Sequence, residues 1–209
     1  MLAIDHLVVV SEDPEKDAQQ FVEQHNVIAI EGGRHEKWGT YNFLAYFQND
    51  SYIEWLGVFD EALARKSNLP LVKKAIEFLD QGKRGLLTFA LRTEHLDKYL
   101  NNFEEKNIPY GGPYPGMRKR LDGSTLSWRM LFPEKSANLP FLIEWGSVAN
   151  KPDDAAKINP RNLGEITIPG DSAIYKDVFQ LTEKDYTVQL ENGKLRFTNG
   201  DQLDFKLSE

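Results

Sequence analysis

The 209-residue sequence contains no cysteine. This absence excludes disulfide bonds, thiolate metal sites and cysteine nucleophiles, and it agrees with a reducing compartment, so a cytoplasmic location is expected. The sequence also lacks any run of roughly 20 apolar residues that could cross a bilayer. Its N-terminal stretch lacks the basic region and the long apolar core of a signal peptide. We therefore expect a soluble protein with no membrane partner.

Positive charge is scarce as well. Lys and Arg number 25 against 32 Asp and Glu, which gives a formal net charge of −7. Nucleic-acid binding normally needs a concentrated basic surface, so nucleic acid is not an expected partner. The motifs of P-loop proteins, dinucleotide-binding folds, GxSxG hydrolases and HExxH metalloproteases are also missing, so no nucleotide cofactor is indicated. The 41% hydrophobic content is ordinary for a globular protein with a core.

The tripeptide Ile-Glu-Trp occurs twice, at residues 53–55 and 143–145, each time at the end of an apolar run typical of a strand. A repeat of this kind predicts a duplicated module. In both halves, an apolar strand precedes a helical segment with an apolar stripe, and further strand patterns follow. Each half is therefore predicted as β-α-β-β-β, and the fold class as α+β.

Five segments follow from these patterns. They are a first βαβββ module at 1–60, a helical connection at 61–84, a second βαβββ module at 85–148, a polar linker at 149–163 and a C-terminal β-rich extension at 164–209. The Gly- and Pro-rich stretch 111–116 is predicted as a loop. Asn192-Gly193 and Asn199-Gly200 indicate type I′ hairpin turns in the extension.

The two acidic residues of the repeat are the first candidates for chemistry. Strand alternation places Glu54 on one face and Trp55 on the other, so Glu54 is expected to point into the cavity that its face lines, and Glu144 is expected to do the same. A carboxylate among apolar neighbours needs a cation, a hydrogen-bond donor or a proton. A divalent metal, a buried Arg or protonation would each satisfy this need.

A series of short motifs runs through both halves of the chain. In the first half they are Ile4-Asp5-His6-Leu7-Val8, Gly32-Gly33-Arg34-His35, Gly39-Thr40-Tyr41-Asn42-Phe43-Leu44 and Tyr52-Ile53-Glu54. In the second half they are Arg118-Lys119-Arg120-Leu121-Asp122-Gly123, Leu126-Ser127-Trp128-Arg129 and Leu139-Pro140-Phe141-Leu142-Ile143-Glu144-Trp145. Together they resemble the glyoxalase-like domain family of the vicinal oxygen chelate superfamily, which includes glyoxalase I, extradiol dioxygenases and fosfomycin-resistance proteins. The resemblance implies paired βαβββ modules that form a cup-shaped mixed β-sheet.

In that superfamily, metal ligands come from the first and fourth strands of each module. Carried onto this sequence, the resemblance implies His6, Glu54 and Glu144 as metal ligands, with Zn, Ni, Mn or Fe as the ion. The fourth position falls at Leu87, or at Thr88 if the register slips by one, and neither is a normal strong ligand. A metal site and a metal-free polar cluster therefore remain alternatives.

Four further residues are candidates for substrate binding. His35 lies in a Gly-bounded segment, where an exposed turn residue is the alternative. Arg118 and Arg120 follow the Gly- and Pro-rich stretch, which in the resemblance lies over the cavity mouth, and they could receive an anionic substrate; a solvated basic turn is the alternative. Trp128 could form a pocket wall or pack in the core.

Two hypotheses follow. The first is a glyoxalase-like metal-dependent enzyme acting on a small oxygen-bearing substrate, with Glu54 and Glu144 as catalytic carboxylates and with isomerisation, lyase chemistry and oxygenation left open. The second is a metal-free protein that binds or sequesters a small molecule, which Leu87 motivates. Either function implies a small-molecule ligand. A homodimer also stays open, since many relatives pair and the C-terminal sheet is expected to offer strand edges.

Overall fold

The computed structural model describes residues 1–119, 123–136 and 139–208. Within these ranges the chain forms two compact units. The N-terminal unit comprises His6–Leu87 and Lys151–Asn162, and the C-terminal unit comprises Met1–Asp5, Thr88–Asn150 and 163–208. Helices and strands together confirm the predicted α+β class with two βαβββ modules and a C-terminal sheet. None of the helices in the described ranges is long and apolar enough to span a membrane.

The first module contains the predicted four strands and one helix. They are β1 (Ala3–Val10), α1 (Pro14–His25), β2 (Ile30–His35), β3 (Thr40–Phe47) and β4 (Ser51–Val58). The strand order is β2-β3-β4-β1, with β1 and β4 parallel and the other neighbours antiparallel. Helix α1 begins after Asp13, whose carboxylate accepts a hydrogen bond from the N–H of Lys16 and so caps the helix.

Helix α1 covers one face of this sheet. The ring of Phe21 packs against Trp55 with centroids 5.2 Å apart. Because side chains alternate along a strand, Glu54 lies on the opposite face of β4.

The predicted helical connection forms two helices, α2 (Glu61–Arg65) and α3 (Pro70–Asp80). Pro70 stands in the first turn of α3, where a missing N–H costs nothing. The second module follows as β5 (Gly85–Arg92), α4 (Leu96–Glu105), β6 (Tyr110–Lys119), β7 (Thr125–Pro133) and β8 (Phe141–Trp145), with the strand order β5-β8-β7-β6.

The loop predicted at 111–116 is wrong, because these residues belong to β6. This strand pairs with β7 over its length, and an irregularity between Gly111 and Tyr114 absorbs the change of register. Gly112 has a φ of 108°, a conformation that a residue with a side chain rarely adopts. Gly and Pro therefore mark a bulged strand here and not a loop.

The C-terminal extension forms a second sheet. Its elements are β10 (Asn162–Pro169), α5 (Ala173–Phe179), β11 (Glu183–Lys184), β12 (Thr187–Gln189), β13 (Lys194–Thr198) and β14 (Asp204–Ser208), in the strand order β11-β12-β13-β10-β14. A turn at Asn192-Gly193 joins β12 to β13 as predicted, but neither residue has a positive φ, so it is not the predicted type I′ turn. The side chain of Asn192 also binds both the N–H and the carbonyl of Ile4, at 2.8 and 2.9 Å. Asn199-Gly200 does not form a hairpin, because β10 lies between β13 and β14.

Glu165 is the buried charge of this second sheet. Its side chain is 7% exposed and makes ion pairs with Lys194, Arg196 and Lys206 at 3.0 to 3.1 Å. Burial alone would raise the pKa of Glu165, but these three cations outweigh it and lower the pKa to about 2. The carboxylate thereby joins β13, β10 and β14.

The predicted linker contains a short strand, β9 (Ile158–Asn159), which pairs with β3. Asn159 is 1% exposed, and its amide connects three backbone groups. Its Oδ1 accepts from the N–H of Ile28 at 2.6 Å, while its Nδ2 donates to the carbonyls of Ile28 and Tyr46 at 2.9 and 2.8 Å. Within the segment predicted as a linker, Asn159 thus joins separate parts of the N-terminal unit.

We expect Asn159→Asp to lower the free energy of unfolding by about 2 to 4 kcal/mol, because a carboxylate would face two carbonyl oxygens and both donated hydrogen bonds would be lost. Urea denaturation followed by circular dichroism measures the change. Asn101→Asp, at an exposed position of α4, is the matched control and should change stability by less than about 0.5 kcal/mol. Equal effects of the two substitutions would contradict the role of the buried amide.

Candidate functional site

A buried imidazole and a buried carboxyl group meet on the first module. His6 in β1 and Glu54 in β4 lie on neighbouring parallel strands, with His6 in register with Tyr52 and Val8 with Glu54. Nε2 of His6 is 3.6 Å from Oε2 of Glu54, and the residues are only 3% and 6% exposed. The structure thus brings together the two first-module residues predicted as ligands, on the sheet face opposite α1.

Aromatic packing fixes the His6 ring. It stacks on the ring of Tyr52 with a centroid distance of 4.5 Å and an interplanar angle of 14°. Tyr52 also contacts Tyr46 of β3, at 5.4 Å. This stack restrains the rotation of the imidazole, so its Nε2 stays directed towards Glu54.

Asn42 completes the cluster and was missed in the sequence. This residue of β3 is 4% exposed, and its Nδ2 donates to Oε1 of Glu54 at 2.6 Å. Its Oδ1 is buried and receives no hydrogen bond from the described residues. A buried polar atom of this kind calls for a donor from water or from a ligand. Leu44 is in register with Glu54, so alternation along β3 places Asn42 on the same face as Glu54. The sequence does not give this register, so it carries no signal for Asn42.

Gly32 makes room for Asn42. A Cβ at this position would lie 2.2 Å from Oδ1 of Asn42 and 2.7 Å from a methyl group of Leu44. Gly32 also lies at the irregularity between β2 and β3. The glycine in the sequence motif therefore serves the packing of Asn42, which in turn holds Glu54.

His35 lies at the end of β2. Its Nδ1 is 3.0 Å from Oγ1 of Thr40, and its ring contacts Trp38 at 5.8 Å. The side chain is half-buried, so it is not the exposed turn residue of the alternative interpretation. Its role as a substrate contact stays a prediction.

Glu144 has a different environment in the second module. Its Oε1 accepts a hydrogen bond from the N–H of Leu96 at 3.0 Å, at the start of α4. Its Oε2 pairs with Arg129, which also binds Asp97 through two nitrogens. Hydrogen bonds with Asp97 and Glu144 raise the pKa of Arg129. Both oxygens of Glu144 are therefore engaged on the sheet face that α4 covers.

The two copies of Ile-Glu-Trp do not occupy equivalent positions. Matching positions in the two modules can be assigned from a turn that both modules contain. The N–H of Ser11 binds the carbonyl of Leu56, and the N–H of Thr93 binds the carbonyl of Ile143, both at 3.0 Å. The hydroxyl groups of Ser11 and Thr93 each accept from the N–H two residues later. Leu56 thus corresponds to Ile143, an offset of 143 − 56 = 87. This offset is three residues smaller than the separation of the two Ile-Glu-Trp copies, so the copies occupy different positions on their fourth strands.

This offset changes the residue at each predicted ligand position. The counterpart of Glu54 is residue 54 + 87 = 141, which is Phe141, and the counterpart of Glu144 is 144 − 87 = 57, which is Gly57. A Cβ at Gly57 would lie 2.5 Å from Pro14 at the start of α1, just as Glu144 meets the start of α4. For the first strands the offset is 93 − 11 = 82, so the counterpart of His6 is Thr88.

The predicted substrate residues of the second module are only partly placed. Arg118 lies in β6, where Nη2 donates to Oδ1 of Asn150 at 3.3 Å, and Arg120 lies outside the described residues. Trp128 is 8% exposed and contacts Trp145 at 5.4 Å. A Cβ at Gly116 would overlap the Trp128 ring. Packing is thus evident for Trp128, and substrate binding by Arg118, Arg120 and Trp128 stays a prediction.

A metal ion at this cluster would need more ligands than His6 and Glu54 supply. His6 and Glu54 supply one nitrogen and one oxygen, whereas a catalytic zinc site has three protein ligands. Their counterparts Thr88 and Phe141 add none. No group of three or more His, Cys, Asp or Glu side chains in the described ranges is arranged to hold a metal ion. The described residues do not make up a complete ligand set.

A groove of about 670 Å³ runs along α4 in the C-terminal unit. Its lining side chains are polar, and four of them are acidic: Glu94, Asp97, Glu105 and Glu144. Small-molecule sites are usually lined by apolar and aromatic side chains with a few polar groups. The groove is lined by polar side chains and does not fit that description.

Comparisons with known proteins agree with this fold. A family model described as a glyoxalase-like domain matches residues 4–174. The chain is similar in structure to a hypothetical protein from Staphylococcus aureus, at 17% identity and a TM-score of 0.76, over 98% of this chain and 89% of the other. A comparison with curated proteins finds no match.

Methylmalonyl-CoA epimerases are also similar in structure. A substituted Streptomyces coelicolor enzyme in complex with 2-nitronate-propionyl-CoA has a TM-score of 0.51 at 16% identity, over 71% of this chain and 98% of the other. A methylmalonyl-CoA epimerase in complex with methylmalonyl-CoA and NH4+ has a TM-score of 0.50 at 16% identity, over 71% and 97%. These identities establish the fold alone. The chain belongs to the glyoxalase-like domain family.

Proposed function

We propose that the chain is an enzyme that moves a proton on a small oxygen-bearing substrate, and that its chemistry is centred on His6 and Glu54 of the first module. The supporting observation is the buried pair of these residues, 3.6 Å apart, on the sheet face opposite α1. Titratable groups are rarely buried together in a core without a functional or structural requirement. Asn42 adds a directed donor and an unused acceptor to the same cluster.

The geometry divides the work among these side chains. Asn42 holds Oε1 of Glu54, which leaves Oε2 as the atom that accepts a proton from a carbon next to a carbonyl group. The 3.6 Å separation from Nε2 of His6 exceeds a normal hydrogen bond, so a substrate atom can interact with both groups. Return of the proton from Oε2 to the neighbouring carbon completes an isomerisation, whereas return to the same face of the original carbon gives proton exchange without net change. A hydroxyl group on the substrate would supply the donor for Oδ1 of Asn42.

The related epimerases help to choose substrates. Their complexes contain methylmalonyl-CoA or 2-nitronate-propionyl-CoA. We therefore include thioesters with an acidic adjacent carbon, together with α-hydroxy ketones and thiohemiacetals of 2-oxoaldehydes, in a substrate panel. Arg118 and Arg120 remain the proposed contacts for an anionic group.

We expect Glu54→Gln to slow substrate proton exchange by about 100-fold or more, because the amide cannot act as the base. Nuclear magnetic resonance measures deuterium uptake from D₂O next to the carbonyl group of each compound in the panel. Glu77→Gln, at an exposed position of α3, is the matched control and should exchange at the wild-type rate. Wild-type exchange by Glu54→Gln would exclude Glu54 as the base.

The ligand set His6, Glu54 and Glu144 predicts a different result. If these three residues bind Zn, Ni, Mn or Fe, protein purified without chelator should contain about one metal ion per chain, and both Glu54→Gln and Glu144→Gln should lose it. Because Glu144 already binds Arg129 and the start of α4, we expect Glu144→Gln to reduce stability by about 1 to 3 kcal/mol and to leave the metal content unchanged. Elemental analysis and urea denaturation distinguish the two outcomes.

A metal-free binding or sequestration protein is the second candidate. Thr88 and Phe141 favour it, since the second module offers neither an acid nor a base at the positions of His6 and Glu54. A thermal-shift panel separates the candidates. Stabilisation by organic ligands without proton exchange in any compound supports the binding protein, whereas stabilisation by divalent ions that EDTA reverses supports the metal enzyme.

A further inference from the structure

Strand β14 is the terminal strand of the C-terminal sheet, with β10 as its neighbour. A terminal strand presents backbone groups that can pair with a strand from another chain. The segment 203–207 reads Leu-Asp-Phe-Lys-Leu, in which three half-exposed apolar side chains alternate with two exposed charged ones. This edge strand therefore has both apolar and charged side chains for contact with a second strand.

The segment is complementary to itself when two copies run antiparallel. With Phe205 opposite Phe205 of the second copy, Leu203 faces Leu207 and Asp204 faces Lys206. Every apolar residue then meets an apolar residue, and every charge meets the opposite charge, which is the favourable pattern for cross-strand pairs. A shift by two residues would bring Asp204 opposite Asp204 or Lys206 opposite Lys206. The sequence thus specifies one register.

The charged residues of β14 do not prevent its edge from pairing with another strand. A Lys on an edge strand commonly discourages association. Here Nζ of Lys206 lies 3.0 Å from Oε1 of Glu165 in the neighbouring β10, and the N–H of Phe205 donates to the carboxylate of Asp204 at 2.8 Å. Lys206 remains 66% exposed, and its ammonium group has three donors, so it can also reach a carboxylate of a second copy.

We propose that β14 is a dimerisation edge, at which two copies of the chain pair antiparallel about a two-fold axis through Phe205. The contact is isologous, so it closes after two copies. Two strands of this length bury less than the roughly 1,200 Å² typical of stable complexes. A reversible dimer with a dissociation constant of about 10 to 500 µM is therefore expected. This surface is independent of the chemistry proposed for the first module.

A single cysteine tests the contact, because the chain has none of its own. Residues facing each other across antiparallel strands have Cα atoms about 4.5 to 5.5 Å apart, which a disulfide can span. We expect Phe205→Cys to form a disulfide-linked dimer under mild oxidation at least 10-fold faster than Tyr186→Cys. Tyr186 is 74% exposed in the turn between β11 and β12, and so measures random collision. Equal rates would overturn the proposal.

The register has its own test. Leu203→Cys and Leu207→Cys proteins, when mixed, should form mainly the mixed disulfide, because the two positions face each other only across the two-fold axis. Each variant alone should cross-link at the rate of Tyr186→Cys. Mass spectrometry with one variant isotope-labelled identifies the products. Homodisulfides that form as fast as the mixed species would overturn the register.

Sedimentation equilibrium tests the dimer without a covalent bond. The wild-type chain should dimerise reversibly, and Asp204→Lys should remain monomeric at the same concentrations, because it places Lys opposite Lys206. Asp204 is exposed and its carboxylate accepts from the next backbone N–H, so the melting temperature should be unchanged. A wild-type chain that stays monomeric at about 500 µM, or an Asp204→Lys variant that dimerises equally, would overturn the proposal.

Discussion

The first module is arranged around one buried carboxyl group. Glu54 is 6% exposed, and burying such a group without partners would cost several kcal/mol. Asn42 on one neighbouring strand donates to it, and His6 on the other lies beside it. Asn42 in turn needs space, and it fits only because Gly32 has no side chain. Four strands are thus constrained by a single acidic residue.

Side-chain alternation then determines what the second module can contribute. The repeated Ile-Glu-Trp is displaced by three residues between the modules, and an odd displacement moves a side chain to the other face of a strand. Glu54 consequently lies opposite α1, while Glu144 lies beneath the start of α4 and pairs with Arg129. An identical tripeptide thus has two physical roles: a carboxyl group within an apolar face, and an anchor for a helix terminus.

The sequence predicted the order of strands and helices in both modules because apolar periodicity and capping residues are local properties. It also predicted His6 and Glu54 as members of one site, and they lie 3.6 Å apart, while their role stays a prediction. It failed where the deciding contact is distant in sequence: Asn42 acts through Glu54, and Asn159 acts through Ile28, 131 residues away. The strand at 111–116 was missed because Gly and Pro usually interrupt strands, whereas a bulge against β7 accommodates them here.

The comparison of modules also shows which parts of a duplicated fold can diverge. Ser11 and Thr93 preserve the same hydroxyl turn between strand and helix, because each turn supplies hydrogen bonds that its own module needs. Thr88 and Phe141 replace the imidazole and the carboxyl group, and this replacement leaves the backbone pairing of β5 and β8 intact. Backbone geometry constrains both copies, whereas a polar cluster on a sheet face is required only where it binds or reacts. The buried pair of His6 and Glu54 in the first module, with Thr88 and Phe141 at the matching positions of the second, therefore supports the proposal of a site in one module.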